Sequence, residues 1–300
     1  MECLTIYILC HNRPDFARQA ILSVLSQTNR SFTLTVSDNS SNDDVENMIK
    51  REFPGIQYIR RAQMLNPLEH FNCCIDETRT DYFCLFHDDD VMHPIFVEEM
   101  IKCLTEFPAA IAFGCNAENE VSGRIEPRTS FRSFRKYERI ASPLNLARRY
   151  FSRAQSGFAP FPGYVYNRHL IGDKRLPFES GKYADVAWLL ELSKAGAIVW
   201  VNKVLMTYRI HEGNDSNAES IRDRLRFLGY LKKNRELFGE GLLKDYRSFI
   251  YKKIMSAHAG SYSARHERIV SFLNAYRWLR NFRFDYWKAL VVRTLVKWVA

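Results

Sequence analysis

Three consecutive acidic residues, Asp88, Asp89 and Asp90, follow the apolar run Tyr82 to Phe86 and precede a segment opened by Pro94. Carboxylates gathered at the C-terminal end of a strand suit a hard divalent cation, because Mg²⁺ takes oxygen ligands and keeps part of its shell for substrate phosphates. The pattern points to a metal and diphosphate site. The plain alternative is an acidic turn capping the next helix. Two further polar clusters, His11-Asn12-Arg13 and Asp38-Asn39, also stand directly after apolar runs.

The elements that must carry these clusters are legible from periodicity. Leu4 to Leu9 reads as a strand and Pro14 opens a helix in which Ala17, Ile21, Val24 and Leu25 recur at helical spacing. Phe32 to Val36 is a second strand, Val45 to Phe53 a helix, Ile56 to Ile59 a third strand, Leu68 to Ile75 a helix, and Tyr82 to Phe86 the fourth strand. Such alternation predicts a mostly parallel α/β sheet flanked by helices, with ligands beyond the C-terminal strand ends. The three polar clusters are then expected to converge on one edge.

The first strand is followed by Cys10-His11-Asn12-Arg13-Pro14, with no Gly, so a GxGxxG dinucleotide cradle is excluded. A Walker sequence is missing as well. Phosphates are therefore expected to be held by a metal and cationic side chains, which suits a nucleotide-sugar. The 300 residues, 46% hydrophobic and 26% charged, allow a sizeable core. All seven Cys fall between Cys3 and Cys115 without a CxxC pair, which favours reduced thiols over zinc ligation or a disulfide framework. The start of the chain does not read as a signal peptide, and no run reaches the roughly 20 apolar residues of a membrane span, so a cytoplasmic location is expected.

The net charge of +9 is unevenly placed: Arg222 to Ala300 carries 18 Lys and Arg against 6 Asp and Glu. A nearly neutral body with a cationic, aromatic-rich extension suggests one part that does chemistry and one that meets an anionic surface. From Tyr276 to Ala300 aromatics alternate with Arg277, Arg280, Arg283, Lys288, Arg293 and Lys297. These cations do not share one helical face. Contact with an anionic membrane, packing on the body, and oligomerisation therefore all stay open. Nucleic acid is not expected, because the anionic cluster of the body would repel phosphate.

In order and spacing, "ILCHNRP", "LTVSDNSSND", "FCLFHDDDVMHP", "KYADVAWLLELSKAGAIVWV" and "YRIHEGNDS" resemble the successive signatures of family 2 glycosyltransferases with the GT-A fold. The resemblance covers about residues 3 to 217. It implies a Rossmann-like nucleotide-binding half and an acceptor-binding half within residues 1–216, followed by a helical C-terminal region at 217–300. By resemblance, His11, Asn12 and Arg13 line the donor pocket and Asp38 bonds the base edge, where an Asx-turn cap is the alternative. Asn66 and Asn72 match polar positions of the helix after the third strand, where helix capping and a solvated face are the alternatives.

In the acidic cluster the family pattern selects Asp89 for the metal, with Asp90 beside it, while Asp88 faces the ribose or shares the ion. His87 stands where a first Asp is common, which leaves the metal register open. Asp185 matches the general base of an inverting transfer, with N-capping of a helix Val186 to Lys194 as the alternative. The preceding Glu of many members is replaced by Ala184. His211 matches a late His that reaches the metal or diphosphate, and Arg209 either pairs with the diphosphate or forms a salt bridge. Glu118 to Pro143 and Ser156 to Gly163, rich in aromatics, are candidate acceptor walls.

The resemblance thus implies a metal-dependent (Mn²⁺ or Mg²⁺) inverting glycosyltransferase. It would use a nucleotide-sugar donor and a glycan or polyprenyl-linked saccharide acceptor, in surface polysaccharide synthesis of the O-antigen or capsule kind. A catalytically inactive interaction protein on the same fold and a sugar nucleotidyltransferase are the alternatives. The latter lacks its Gly-rich basic loop here.

Overall fold

The computed structural model describes residues 4–151, 157–214 and 221–259. The first half alternates as the sequence predicts: β1 (Leu4–Cys10), α1 (Pro14–Leu25), β2 (Thr33–Asp38), α2 (Asp44–Glu52), β3 (Gln57–Arg60), α3 (Pro67–Glu77) and β4 (Tyr82–His87). Then follow β5 (Val91–Met92), α4 (Phe96–Glu106), β6 (Ala112–Val121), β7 (Arg124–Thr129), β8 (Tyr137–Ile140), α5 (Pro143–Phe151), β9 (Tyr164–Asn167), the single turn α6 (Arg168–Ile171), α7 (Ala184–Ala195) and β10 (Ile198–Ile210). Helices α8 (Ile221–Lys233) and α9 (Arg235–Ala259) come last.

One sheet runs in the order β3-β2-β1-β4-β9-β6-β10-β5, with β7 added to β6 and β8 to β10. β3, β2, β1 and β4 are mutually parallel, whereas β9 lies antiparallel between β4 and β6. The second half is therefore mixed, because antiparallel β5, β7, β8 and β9 surround the parallel pair of β6 and β10. All seven residues of β1 are buried, as expected for a central strand covered on both faces.

Successive side chains of β1 and β4 feed two cores. Ile6, Ile8, Cys84 and Phe86 join α1, α2 and α4 on one face, and Tyr7, Leu9, Phe83 and Leu85 join α3, α5 and α7 on the other. The six described cysteines are free thiols, five of them buried.

The C-terminal helices belong to that second core. Phe227, Leu231, Phe238 and Tyr246 are buried in the same cluster as Trp188 of α7 and Phe151 of α5. Phe227 stacks on Tyr183, ring centroids 5.0 Å apart, immediately before α7. Among the described residues no helix is long and apolar enough to cross a membrane. The aromatic and basic stretch Tyr276 to Ala300 lies outside the described residues.

Since α8 shares a core with α7, Phe227→Ala is expected to lower stability by about 3–5 kcal/mol through the cavity it leaves. Urea unfolding followed by tryptophan fluorescence and by circular dichroism should show one coincident, shifted transition. Two transitions, only one of them shifted, would mean that the C-terminal helices fold separately.

Candidate active site

The parallel register brings the strand ends level. Cys10 pairs with Asp38 and Leu9 with His87, so the segments after β1, β2 and β4 emerge side by side. The backbone N–H of His11 donates to Asp88 Oδ2 at 3.0 Å, and its ring Nδ1 lies 2.8 Å from the Asn39 carbonyl. Asn12 adopts φ 54°, a left-handed conformation that Asn tolerates better than most residues. That turn aims its backbone N–H at Ser40 Oγ (2.8 Å) and its side-chain oxygen at the Ser41 N–H (2.9 Å). The chain then enters α1 with Pro14 at its first turn, where a missing N–H does no harm. Arg13 spans Asp88 and Asp89, donating to Asp89 Oδ2 at 2.7 Å and to Asp88 Oδ1.

Asp88, Asp89 and Asp90 are all buried, and each is held differently. Burial pushes the Asp88 carboxyl up to about 6, against the pull of Arg13 and of the His11 N–H. Burial acts on Asp89 in the same sense, yet its carboxyl is lowered because His87, Arg13 and His211 surround it with positive charge and donors. Burial holds Asp90 well above the usual carboxylate range. Asp90 Oδ1 accepts the Arg209 N–H at 3.0 Å, while Oδ2 is buried without a hydrogen-bond partner among the described residues.

An orphaned buried carboxylate oxygen is where a cation belongs. One ligand atom from each of His87, Asp89 and Asp90 lies within 4.8 Å of the others. Two carboxylates and an imidazole fit a divalent ion. His87, which stands in place of the common first Asp, is thus part of the candidate metal group. His211 reaches the same point from β10: its Nε2 lies 3.1 Å from Asp89 Oδ2 and its ring stacks on Phe16 at 4.8 Å.

Asp185 lies on α7, in the first turn after the N-cap Tyr183. The helix starts two residues earlier than its periodicity predicts, so Asp185 is not the N-cap. Asp185 is half-buried, and burial pushes its carboxyl up to about 6, against hydrogen bonds from the local backbone. A run of ring contacts connects α7 to the candidate metal group. Phe161 packs 6.3 Å from Trp188, one turn along from Asp185, and 6.0 Å from His87. Gly181 precedes this turn with φ +57°, a conformation that favours glycine, and a Cβ there would fall 2.7 Å from Asp223 Oδ1 on α8, so that side chain would have to shift.

Several candidates carry local tasks. Asp38 is fully buried and accepts from Tyr58 Oη (2.7 Å), Arg60 (2.8 Å) and the Ser40 N–H (2.9 Å). Asn66 is the N-cap of α3, in a reciprocal capping box with Glu69. Asn72 exchanges two hydrogen bonds with the Leu176 backbone at 2.9 and 3.3 Å, which ties α3 to the segment leading into α7. Arg209 is buried under the acidic turn, donating to the Asp89 carbonyl and to Gln19 with its guanidinium over the Phe16 ring at 4.7 Å. Its geometry is that of a strut. Of the candidate acceptor-wall aromatics, Phe131 and Phe161 are buried.

Sequence reasoning passed over Phe16, Gln19, Tyr58 and Arg60, and gave Asn39 no task. Their signal was weak, because helix faces and a short edge strand supply such residues in any α/β protein. Asn39 was named only for its position, yet its amide clamps the Leu65 backbone in both directions at 2.8 and 2.9 Å.

The profile of the family described as Glycosyl transferase family 2 matches residues 5–168, more than half of the chain. Among curated proteins, the chain is 24% identical over 227 residues to glycosyltransferase GlyA of Streptococcus pneumoniae serotype 4, covering 72% of this chain and 32% of that protein. It is 22% identical over 264 residues to the GalNAc(5)-diNAcBac-PP-undecaprenol beta-1,3-glucosyltransferase of Campylobacter jejuni, covering 86% and 81%. The chain spans about a third of the pneumococcal protein's length.

Two solved structures share the fold. Staphylococcus aureus TarS 1-349 in complex with UDP-GlcNAc aligns with a TM-score of 0.63 at 14% identity, over 92% of this chain and 80% of that one. Mannosyltransferase PcManGT of Pyrobaculum calidifontis, in complex with GDP-Man and Mn2+, aligns at 0.59 and 13%, over 91% and 79%. The architecture is that of GT-A glycosyltransferases.

Arg209 offers a check on the geometry that needs no ligand. Arg209→Leu removes the donors beneath the Asp89 and Asp90 carbonyls and a positive charge beside Asp90, with an expected loss of about 2–4 kcal/mol. Denaturant unfolding measures it. Wild-type stability in the variant would show that the acidic turn is held by other groups.

Proposed function

Because the chain belongs to glycosyl transferase family 2, we propose that it transfers a sugar from a nucleotide-sugar donor to a hydroxyl of a saccharide acceptor, with inversion and with the help of a divalent metal. One observation supports this reading above others: a buried acidic turn, with Asp90 Oδ2 left over, stands at the level strand ends of β1, β2 and β4. Such a turn is poorly suited to phosphate by itself and well suited to phosphate with a cation. Bound at His87, Asp89 and Asp90, with His211 alongside, a divalent cation supplies the counter-charge for a departing diphosphate. The ion carried by PcManGT, Mn2+, agrees with that donor set.

The chain's own residues then divide the work. His11, Asn12 and Arg13 form the rim against which the nucleotide lies, and Asp38 fixes the floor beneath it through Tyr58 and Arg60. Arg13, already paired with Asp88 and Asp89, is within reach of the diphosphate. Asp185 takes the proton of the attacking hydroxyl, and a carboxyl that titrates near 6 is ionised at neutral pH while still basic enough to accept it. Catalysis rests on residues 1–216, and α8 and α9 buttress the segment that leads to Asp185.

The acceptor class follows from one relative. The Campylobacter protein, covered over most of its length, is named for a polyprenyl-diphosphate saccharide. We assign this chain an acceptor of the same class, in bacterial surface polysaccharide synthesis on the cytoplasmic side, where nucleotide-sugars are made.

Three outcomes are expected. Asp89→Ala, or excess EDTA, should abolish transfer and remove the thermal stabilisation that a UDP-, dTDP- or GDP-sugar gives with Mn²⁺. Full turnover in excess chelator would rule out the metal-assisted reading.

Asp185→Asn keeps the shape of the side chain but cannot accept a proton, so kcat should fall by about 10²–10⁴ with donor affinity nearly unchanged. Near-normal turnover would place the base elsewhere.

The sign of the pH dependence follows from the raised carboxyl of Asp185. The base must be ionised, so wild-type kcat should fall as pH drops through about 6. The residual rate of Asp185→Asn should lack that limb, and a limb retained in the variant would assign it to another group.

A further inference from the structure

Between β6 and α5 the chain is basic with aromatics interleaved, and the site described above uses none of it. Two of the three aromatics turn inward. Phe131 is buried against Trp200, ring centroids 5.2 Å apart, and Tyr137 packs edge-on against Phe107 at 5.2 Å. Phe134, between them, is fully exposed, the most exposed large apolar side chain among the described residues. Arg132, Arg135, Lys136 and Arg139 flank it, all exposed. The nearest acid in sequence, Glu138, is engaged, accepting from Ser133 Oγ at 2.8 Å and lying 3.9 Å from Arg149.

The loop is held in this posture. Asn202 donates from its side chain to the Ser133 carbonyl and from its backbone to the Lys136 carbonyl, both at 2.8 Å. Asn116 exchanges hydrogen bonds with the Phe131 backbone at 2.9 and 3.1 Å. A pinned backbone therefore projects one ring into solvent between cations.

The chemistry narrows the occupant. A protein partner covers a contiguous apolar patch, whereas here a single exposed ring stands in a short stretch that carries four exposed cations. Neutral sugars could stack on the ring but offer nothing to the guanidinium groups. An anionic phospholipid surface satisfies both, with phosphates for Arg and Lys and an interface that accepts an aromatic ring.

We propose that the segment Arg132 to Arg139 docks the protein on an anionic phospholipid surface, with Phe134 entering the headgroup region. This deepens the reading of a polyprenyl-linked acceptor and rests on it for its purpose, although the docking is measurable without turnover.

The test is co-sedimentation of the full chain with vesicles of phosphatidylcholine alone or mixed with phosphatidylglycerol. Wild type should partition onto the anionic vesicles only, and less as salt rises. Phe134→Ser should weaken partitioning about tenfold, and the triple variant R132Q/R135Q/K136Q should also flatten the salt dependence. Both variants should keep wild-type melting temperature and nucleotide-sugar binding, because these side chains are exposed and none of them is a proposed donor-site residue.

No binding of wild type to anionic vesicles would overturn the proposal. So would unchanged binding in both variants, which would transfer the attachment to the basic tail. A Phe134→Ser variant that changes oligomeric mass but not vesicle binding would instead make the loop a contact between copies. Failure of nucleotide-sugars to stabilise wild type would count against the proposed transfer and leave the docking result standing.

Discussion

Three buried carboxylates in a row cannot stay together without counter-charge, and the structure is organised around supplying it. Arg13 arrives from the end of β1, and Arg209 and His211 from the end of β10, so the acidic turn draws on strands at opposite sides of the sheet. Burial raises the carboxyls of Asp88 and Asp90, whereas Asp89, at the centre of the cations, is lowered. Further positive charge at this turn would therefore favour the ionised forms of Asp88 and Asp90 most. The turn thus keeps a candidate cation position at Asp90 Oδ2, which has no hydrogen-bond partner among the described residues.

The same economy appears in how loops are fixed. Asn39, Asn72 and Asn116 each use both ends of the side-chain amide to grip one backbone residue, Leu65, Leu176 and Phe131 respectively. Each imitates a pair of strand hydrogen bonds outside the named strands. Loops that border a site can in this way be ordered without a core of their own. The Asn72 clamp has particular weight, since it connects the helix beside the donor half with the chain that leads to Asp185.

On the far side of that chain, α8 supplies the second support. Gly181 lets the backbone pass against Asp223, and Phe227 stacks on Tyr183, so the turn that presents Asp185 is held between α3 and a helix from the C-terminal region. Positioning of Asp185 is thus distributed over elements more than a hundred residues apart.

The sequence by itself determined the donor half. Strand and helix periodicity from Leu4 to Phe86 located seven elements to within a few residues, and polar clusters placed directly after strands had to converge, because parallel strands end on the same side. It also singled out Asp185 and His211, since their motifs are local strings whose order survives without coordinates.

Only tertiary structure decided which neighbours each polar residue meets. It put His87 with Asp89 and Asp90, made Arg209 a strut, and gave Asp38 to Tyr58 and Arg60, because an edge strand's side chains carry no signature of what lies across from them. Antiparallel β9 between β4 and β6, and the burial of α8 against α7, were equally beyond periodicity, which tells an element its type and its apolar face but not its partner. Residues whose task is fixed by the backbone they end could be read from the chain, and those whose task is fixed by contact across the fold could not.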